Sequence, residues 1–324
     1  MMFAFLLSAC DGGTMGGPDA SGGGALAVIV EAEDTITEGL AAGDEPEQIR
    51  DGWAVTFDRY VVVIGDVDVH LSTDESVVVE IADTYAVDLV TVPSTGLELW
   101  TSGGLTSGRW DFNYAIAGAG DGAMPHSSVS TELFDEMVAG DWTYLIEGAI
   151  ERADGQSCPP AGLASVGGAT PNGNTNAAGD ACFDNPSVAF RFGLTAETAF
   201  GPCEVDEMPG FAVTEGATTT VSMTIHGDHV FFNGFPEGGE GGVMRLAQWL
   251  ADCDLDLDGE VTRAELEQIA PADLAELDGR FQLGGSPITP LTTMWDYLTA
   301  QVKTQGHFQG EGECPLDGMA HAHD

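Results

Sequence analysis

Asp254, Asp256 and Asp258 occupy alternate positions of a short run that continues through Gly259, Glu260, Thr262 and Glu265. Oxygen donors at this spacing suit a hard cation. Calcium takes about six to eight oxygens at roughly 2.3–2.6 Å, and closely spaced carboxylates on one curling segment supply a large part of that shell. Gly259 permits the sharp turn that brings the later residues back toward the ion. With no cation present, these acidic side chains repel one another, so a divalent ion is the natural partner.

The whole run 254–265 resembles the twelve-residue loop of the EF-hand family. The resemblance implies a Ca2+ site in which Glu260 gives its backbone carbonyl, Thr262 its hydroxyl or a bridging water and Glu265 both carboxylate oxygens, with a helix on either side and an apolar Val261 that pairs with a neighbouring loop. A helix ending near Ala251 and another over 262–269 fit that layout, and Thr262 with Glu265 matches a capping box. Residues 277–283 lie between helical segments and lack the carboxylates to bind calcium. They are expected to act as a degenerate partner loop that braces Val261.

A second group able to bind metal is His226-Gly227-Asp228-His229. Gly and Asp at the central positions suit a type II′ hairpin turn. In that case His226 and His229 face each other across two strands and could chelate zinc or copper. With continuous strand pairing they would point to opposite faces. A third ligand could come from His307 or from His321 and His323 near the end of the chain. The zinc or copper reading is the alternative to the calcium one.

At the start of the chain, residues 3–7 are apolar and lead into Leu7-Ser8-Ala9-Cys10. This resembles the lipobox of bacterial lipoproteins, which implies export, cleavage after residue 9 and lipidation of Cys10. Residues 11–24 are a Gly-rich tether spanning roughly 20 Å. Export permits disulfides. With Cys10 lipidated, Cys158 and Cys182 are natural partners across a Gly/Asn-rich loop. Cys203, Cys253 and Cys314 leave one thiol over, and their pairing stays open.

The chain of 324 residues carries 53 acidic and 9 basic side chains, a net charge of −44. Its only lysine is Lys303. Nucleic acid is excluded as a partner, because phosphate binding needs clustered basic residues. Such a surface attracts divalent cations and stays soluble in salt. No nucleophile elbow, Walker loop or His-Glu-x-x-His motif occurs, so the expectation is a binding or structural protein rather than an enzyme.

The elements that must hold these residues are mostly strands. Segments 53–58, 60–64, 77–81, 86–92, 110–117, 142–150, 188–194 and 218–225 are apolar or alternating, with Gly, Asp, Ser and Pro between them. A short helix is expected over 131–138. Past the linker 236–242, Val243, Leu246, Ala247 and Leu250 recur at helical spacing. Pro271 is expected to end the helix that follows the loop. Leu291, Met294, Trp295, Leu298 and Val302 form a later stripe, with Thr289 as cap and Pro290 at the first position. The fold class read from this is α+β: an antiparallel β-sandwich-like domain over 25–235, a small EF-hand helical module over 243–303 and a flexible tail over 304–324.

Overall fold

The structure, a computed structural model, describes residues 23–120, 122–235 and 243–316. The lipobox-like segment with Cys10, most of the tether, the linker 236–242, and His321 and His323 lie outside the described residues.

The chain is β-rich, with helices gathered toward its C-terminal third. Ala54–Leu71 is the spine of the larger sheet. On one side it pairs antiparallel with Gly108–Ile116, and on the other with Tyr144–Glu151, which pairs in turn with Ser187–Leu194. The apolar run at 60–64 is continuous because both faces of the sheet are covered there. Tyr60, Val62 and Ile64 enter the main core. Val61 and Val63 point the other way, into a smaller cluster with Val129 and Met137. Met137 belongs to the helix Thr131–Gly140, whose N-cap Ser130 accepts a hydrogen bond from Leu133 N.

A second sheet runs in the order Gly306–Phe308, Thr218–Ile225, Gly24–Ala32, Leu97–Leu105. Gly24–Ala32 lies parallel to Thr218–Ile225, so the first and nearly the last strands of the β-rich region are neighbours. Side chains from the two sheets meet in one core. Phe112 of the larger sheet stacks on Phe308 of the smaller one, with ring centroids 5.1 Å apart. Burying a ring of this size contributes about 1.5–3 kcal/mol.

The C-terminal helices join that same core. Trp249, Leu250, Leu266, Tyr297 and Leu298 pack in one buried cluster with Phe57, Tyr60 and Phe190. Trp295 meets Phe192 edge to face at 5.9 Å.

Three local expectations are corrected here. Pro271 opens the helix Pro271–Leu277, because the pyrrolidine ring is tolerated at the first helical position. The helix Met294–Val302 is capped by Thr293, not Thr289. Thr293 Oγ1 accepts from Asp296 N, and the Asp296 carboxylate accepts from Thr293 N. The chain beyond 304 contains the strand Gly306–Phe308, which pairs with Thr218–Ile225, and Cys314, which forms a disulfide.

Disulfides join Cys158 to Cys182 and Cys203 to Cys314. Among the described residues the remaining thiol is Cys253, which is buried, and burial pushes its pKa up.

Candidate metal centres

The acidic loop is positioned at both ends. The short helix Gln248–Asp252 leads into it and Arg263–Leu266 leads out. Within it, Asp254, Asp256 and Asp258 each bring a carboxylate oxygen to within 4.8 Å of the others. Gly259 has φ of +86°, a conformation that a side chain would strain. Asp254 is fully buried. Its Oδ2 accepts from Asn185 Nδ2 at 2.8 Å and from Gly259 N at 3.0 Å. Its Oδ1 is buried with no hydrogen-bond partner among the described residues. Burial pushes the Asp254 carboxyl up, and the bonds from Asn185 and Gly259 pull against that shift.

Glu265 and Thr262 are not gathered into the aspartate cluster. Glu265 Oε1 accepts from Leu255 N at 2.9 Å, and Oε2 accepts from Thr262 N and Thr262 Oγ1, both at 2.8 Å. Glu265 therefore ties the entry of the loop to its exit; Oε2 accepts two bonds, and only Oε1 keeps a second lone pair. The Glu260 side chain is exposed, in keeping with a contribution through the backbone alone.

Val261 does not pair with residues 277–283. The two-residue strand Glu260–Val261 adds in parallel to the edge of Ser187–Leu194, with Val261 opposite Phe190 and Ala189 N donating to Gly259 O at 2.8 Å. An apolar residue at that place needs a strand partner, and the sheet edge supplies one in place of a second loop.

His226 and His229 are not on a hairpin. The strand Thr218–Ile225 ends just before His226, which caps a 3-10 turn over Gly227–Phe231. The turn still brings the two imidazoles together, with ring centroids 5.7 Å apart. Both are buried, at 1% and 2% exposure. The turn is held by Asp228, whose Oδ2 accepts from Arg245 Nε at 2.7 Å in a buried ion pair. The Arg245 guanidinium also lies over Phe232 and donates to Pro46 O.

His307 joins the pair from Gly306–Phe308. Its register partner is Thr224, and Thr224 shares a strand face with the position two residues on, so His307 comes up beside His226. The ring centroids of His226 and His307 are 4.0 Å apart, those of His229 and His307 5.4 Å, and those of His226 and His229 5.7 Å. One nitrogen from each ring lies within 4.8 Å of the other two. Thr304 Oγ1 sits 2.8 Å from His229 Nδ1. Glu33 Oε1 sits 3.6 Å from His226 Nδ1, and Gly310 O 3.3 Å from His226 Nε2.

Asn185, Glu33, Asp228 and Arg245 stand beside these clusters, and no local motif marks them. The Gly-Asp inside the histidine group is a signal for a turn but does not identify the arginine that closes on it. A third acidic feature is a cavity of about 180 Å³ lined by Asp51, Gln248, Trp249, Asp252 and Asp278. Burial raises the Asp51 carboxyl, and it raises that of Asp252 to about 7.

Comparison of the chain with family models, curated proteins and solved structures finds no match. The arrangement of its own residues is therefore the basis for any functional reading.

Proposed function

We propose that the chain is an exported calcium-binding protein of the cell envelope, in which calcium clamps an EF-hand-like helical segment onto a β-sandwich-like body. One observation carries the reading. Asp254 is a fully buried carboxylate with one oxygen lacking any hydrogen-bond partner among the described residues, and it faces Asp256 and Asp258. An anion buried in that way costs several kcal/mol unless a cation meets it. The residues fit calcium: hard oxygen donors, a glycine at the turn, and a spare lone pair on Glu265 Oε1. Because Val261 is paired to the sheet edge, an ion in the loop would fix the loop and the sheet together. In this reading calcium is a structural clamp rather than a sensor, and the protein a binding or structural protein rather than an enzyme.

Export is supported by the two disulfides and by the lipobox-like LSAC at 7–10. In this reading Cys10 carries the lipid and holds the protein to a membrane, on the periplasmic or cell-surface side. Among the described residues no helix is long and apolar enough to cross a membrane. Replacing Cys10→Ser is expected to move the protein from the membrane to the soluble fraction. A mature N-terminus elsewhere, without lipid, would overturn the anchor.

The test of the clamp is a melting curve in calcium and in EGTA, with a calcium titration by calorimetry. At 100 times its dissociation constant calcium is expected to add about 2.7 kcal/mol of stability. Asp254→Ala should abolish that gain, and Glu260→Ala should leave it. A wild-type melt indifferent to EGTA, with no calcium taken up, would end the reading.

A further inference from the structure

We infer that His226, His229 and His307 form a second metal centre, of a different chemical kind from the calcium loop: a tri-imidazole site for a late first-row transition ion, zinc or copper. The inference does not depend on the calcium reading. It rests on three independent strokes of the fold that converge on one point. The 3-10 turn that follows His226 returns His229 to it, with ring centroids 5.7 Å apart. The register of Gly306–Phe308 against Thr218–Ile225 brings His307 beside them. The buried Arg245–Asp228 pair fixes the turn between the two histidines.

The donor set selects the ion. Three imidazole nitrogens and no thiolate suit zinc, copper or nickel, with copper(II) bound most tightly at a given site of this type. Calcium and magnesium, which want oxygen shells, are disfavoured. A tetrahedral ion with bonds of about 2.0–2.1 Å needs its nitrogens roughly 3.3 Å apart. The nitrogens here lie within 4.8 Å of one another, so small rotations about the side-chain torsions close the site.

The surroundings of His229 orient its ring in the way metal-bound imidazoles are oriented. Ligating histidines present one nitrogen to the ion and the other to a carboxylate, carbonyl or hydroxyl. His229 Nδ1 faces the Thr304 hydroxyl at 2.8 Å, which leaves Nε2 for the ion. His226 Nδ1 faces the Glu33 carboxylate at 3.6 Å and Nε2 the Gly310 carbonyl at 3.3 Å, both long contacts, and an ion takes the place of one of them while the other holds the ring. Glu33, His226 and Glu311 also bring ligand atoms within 4.8 Å of one another, so negative charge stands behind the centre and favours a cation there. Burial of His226 and His229 keeps the ion largely away from water, while His307 is half-buried and marks the open side.

The test uses the full chain, stripped with chelator and returned to 1 mM calcium so that the acidic loop is filled. Zinc and copper(II) are then titrated separately by calorimetry, and bound metal is counted by mass spectrometry. One equivalent of tight binding is expected. His229→Ala and His307→Gln should each weaken it at least ~100-fold, and Glu33→Gln by about 10–100-fold. Copper(II) in the wild-type protein should show nitrogen hyperfine structure in its electron paramagnetic resonance spectrum, reduced in both histidine variants. His307→Gln is at a half-buried position, and its calcium-dependent melt shows whether the fold is intact. Three results would overturn the inference: no tight zinc or copper in the wild type, equal uptake in folded His229→Ala and His307→Gln, or binding lost only when His321 and His323 are replaced.

Discussion

Val261 pairs in parallel with Phe190, so the acidic loop 254–265 is an extension of the larger sheet's edge. Ala189 N donates to Gly259 O within this pairing. If calcium orders the loop, it also orders this edge. The amide of Ala189 should therefore exchange with deuterium about 100-fold faster in EGTA than at a calcium concentration 100 times the dissociation constant. Amide exchange followed by NMR or peptide mass spectrometry reads this directly. Unchanged protection at Ala189 would show that the ion and the sheet edge are uncoupled.

Asn185 joins the loop to the disulfide-linked segment. Its Nδ2 donates to Asp254 Oδ2 and to Ser157 Oγ, and it is buried. Asn185→Leu removes a neighbour that orients the first carboxylate of the loop. Calcium affinity should fall by about 10–100-fold, a typical loss for a partner of a metal ligand. Calorimetric titration of the variant is the check.

Arg245 and Asp228 are buried together, at 4% and 0% exposure. Arg245→Met leaves the aspartate charge without its partner and should cost about 3–5 kcal/mol in urea unfolding. Adding Asp228→Asn should recover a large part of that loss, because the stranded charge is then gone. Equal unfolding midpoints for wild type and Arg245→Met would refute a structural role for the pair.

The Cys203–Cys314 disulfide closes a loop with a sequence separation of 111, just beyond the strand that carries His307. Replacing both cysteines with serine should lower stability by about 2–5 kcal/mol. The same change should weaken zinc or copper binding more than calcium binding, since only the histidine cluster draws on the C-terminal strand. Parallel titrations of the two metals test the difference.

Asp51 supplies a pH dependence. Its Oδ2 accepts from Ala247 N at 2.9 Å and Gln248 N at 2.8 Å, and burial raises its carboxyl above the ordinary aspartate value of about 3.9. The folded state then holds this proton more tightly than the unfolded state. The group's contribution to stability is full below the ordinary value and is lost as pH rises through the raised one. Asp51→Asn keeps an acceptor for both N–H groups and removes the titration. Relative to wild type, the variant should gain stability as pH rises from 4 to 7, measured by urea unfolding at each pH. A constant difference across that range would contradict the assignment.

Much of the local structure was written in the sequence. The strand Thr218–Ile225 coincides with its β-branched run, and the helix Thr131–Gly140 covers the expected 131–138, because periodicity is a property of neighbouring residues. The gathered aspartates of 254–258 and the turn at Gly259 were legible for the same reason: all lie within one turn of chain. What surrounds them was not. Val261 could announce that it needs a strand partner but not that Phe190 provides it, since the two are 71 positions apart in the numbering and the pairing is made by backbone groups that every residue carries. The histidines show the same division. Gly227 and Asp228 signalled a turn, and tertiary packing made it a 3-10 turn closed by Arg245 rather than a hairpin. His307 sat in a stretch too rich in Gly and polar residues to read as structure, and it was placed by strand register and a distant disulfide. Sequence alone determined which atoms could bind metal, because that is side-chain chemistry. Only the folded chain decided which of them meet, because convergence depends on long-range pairing and on packing in a shared core.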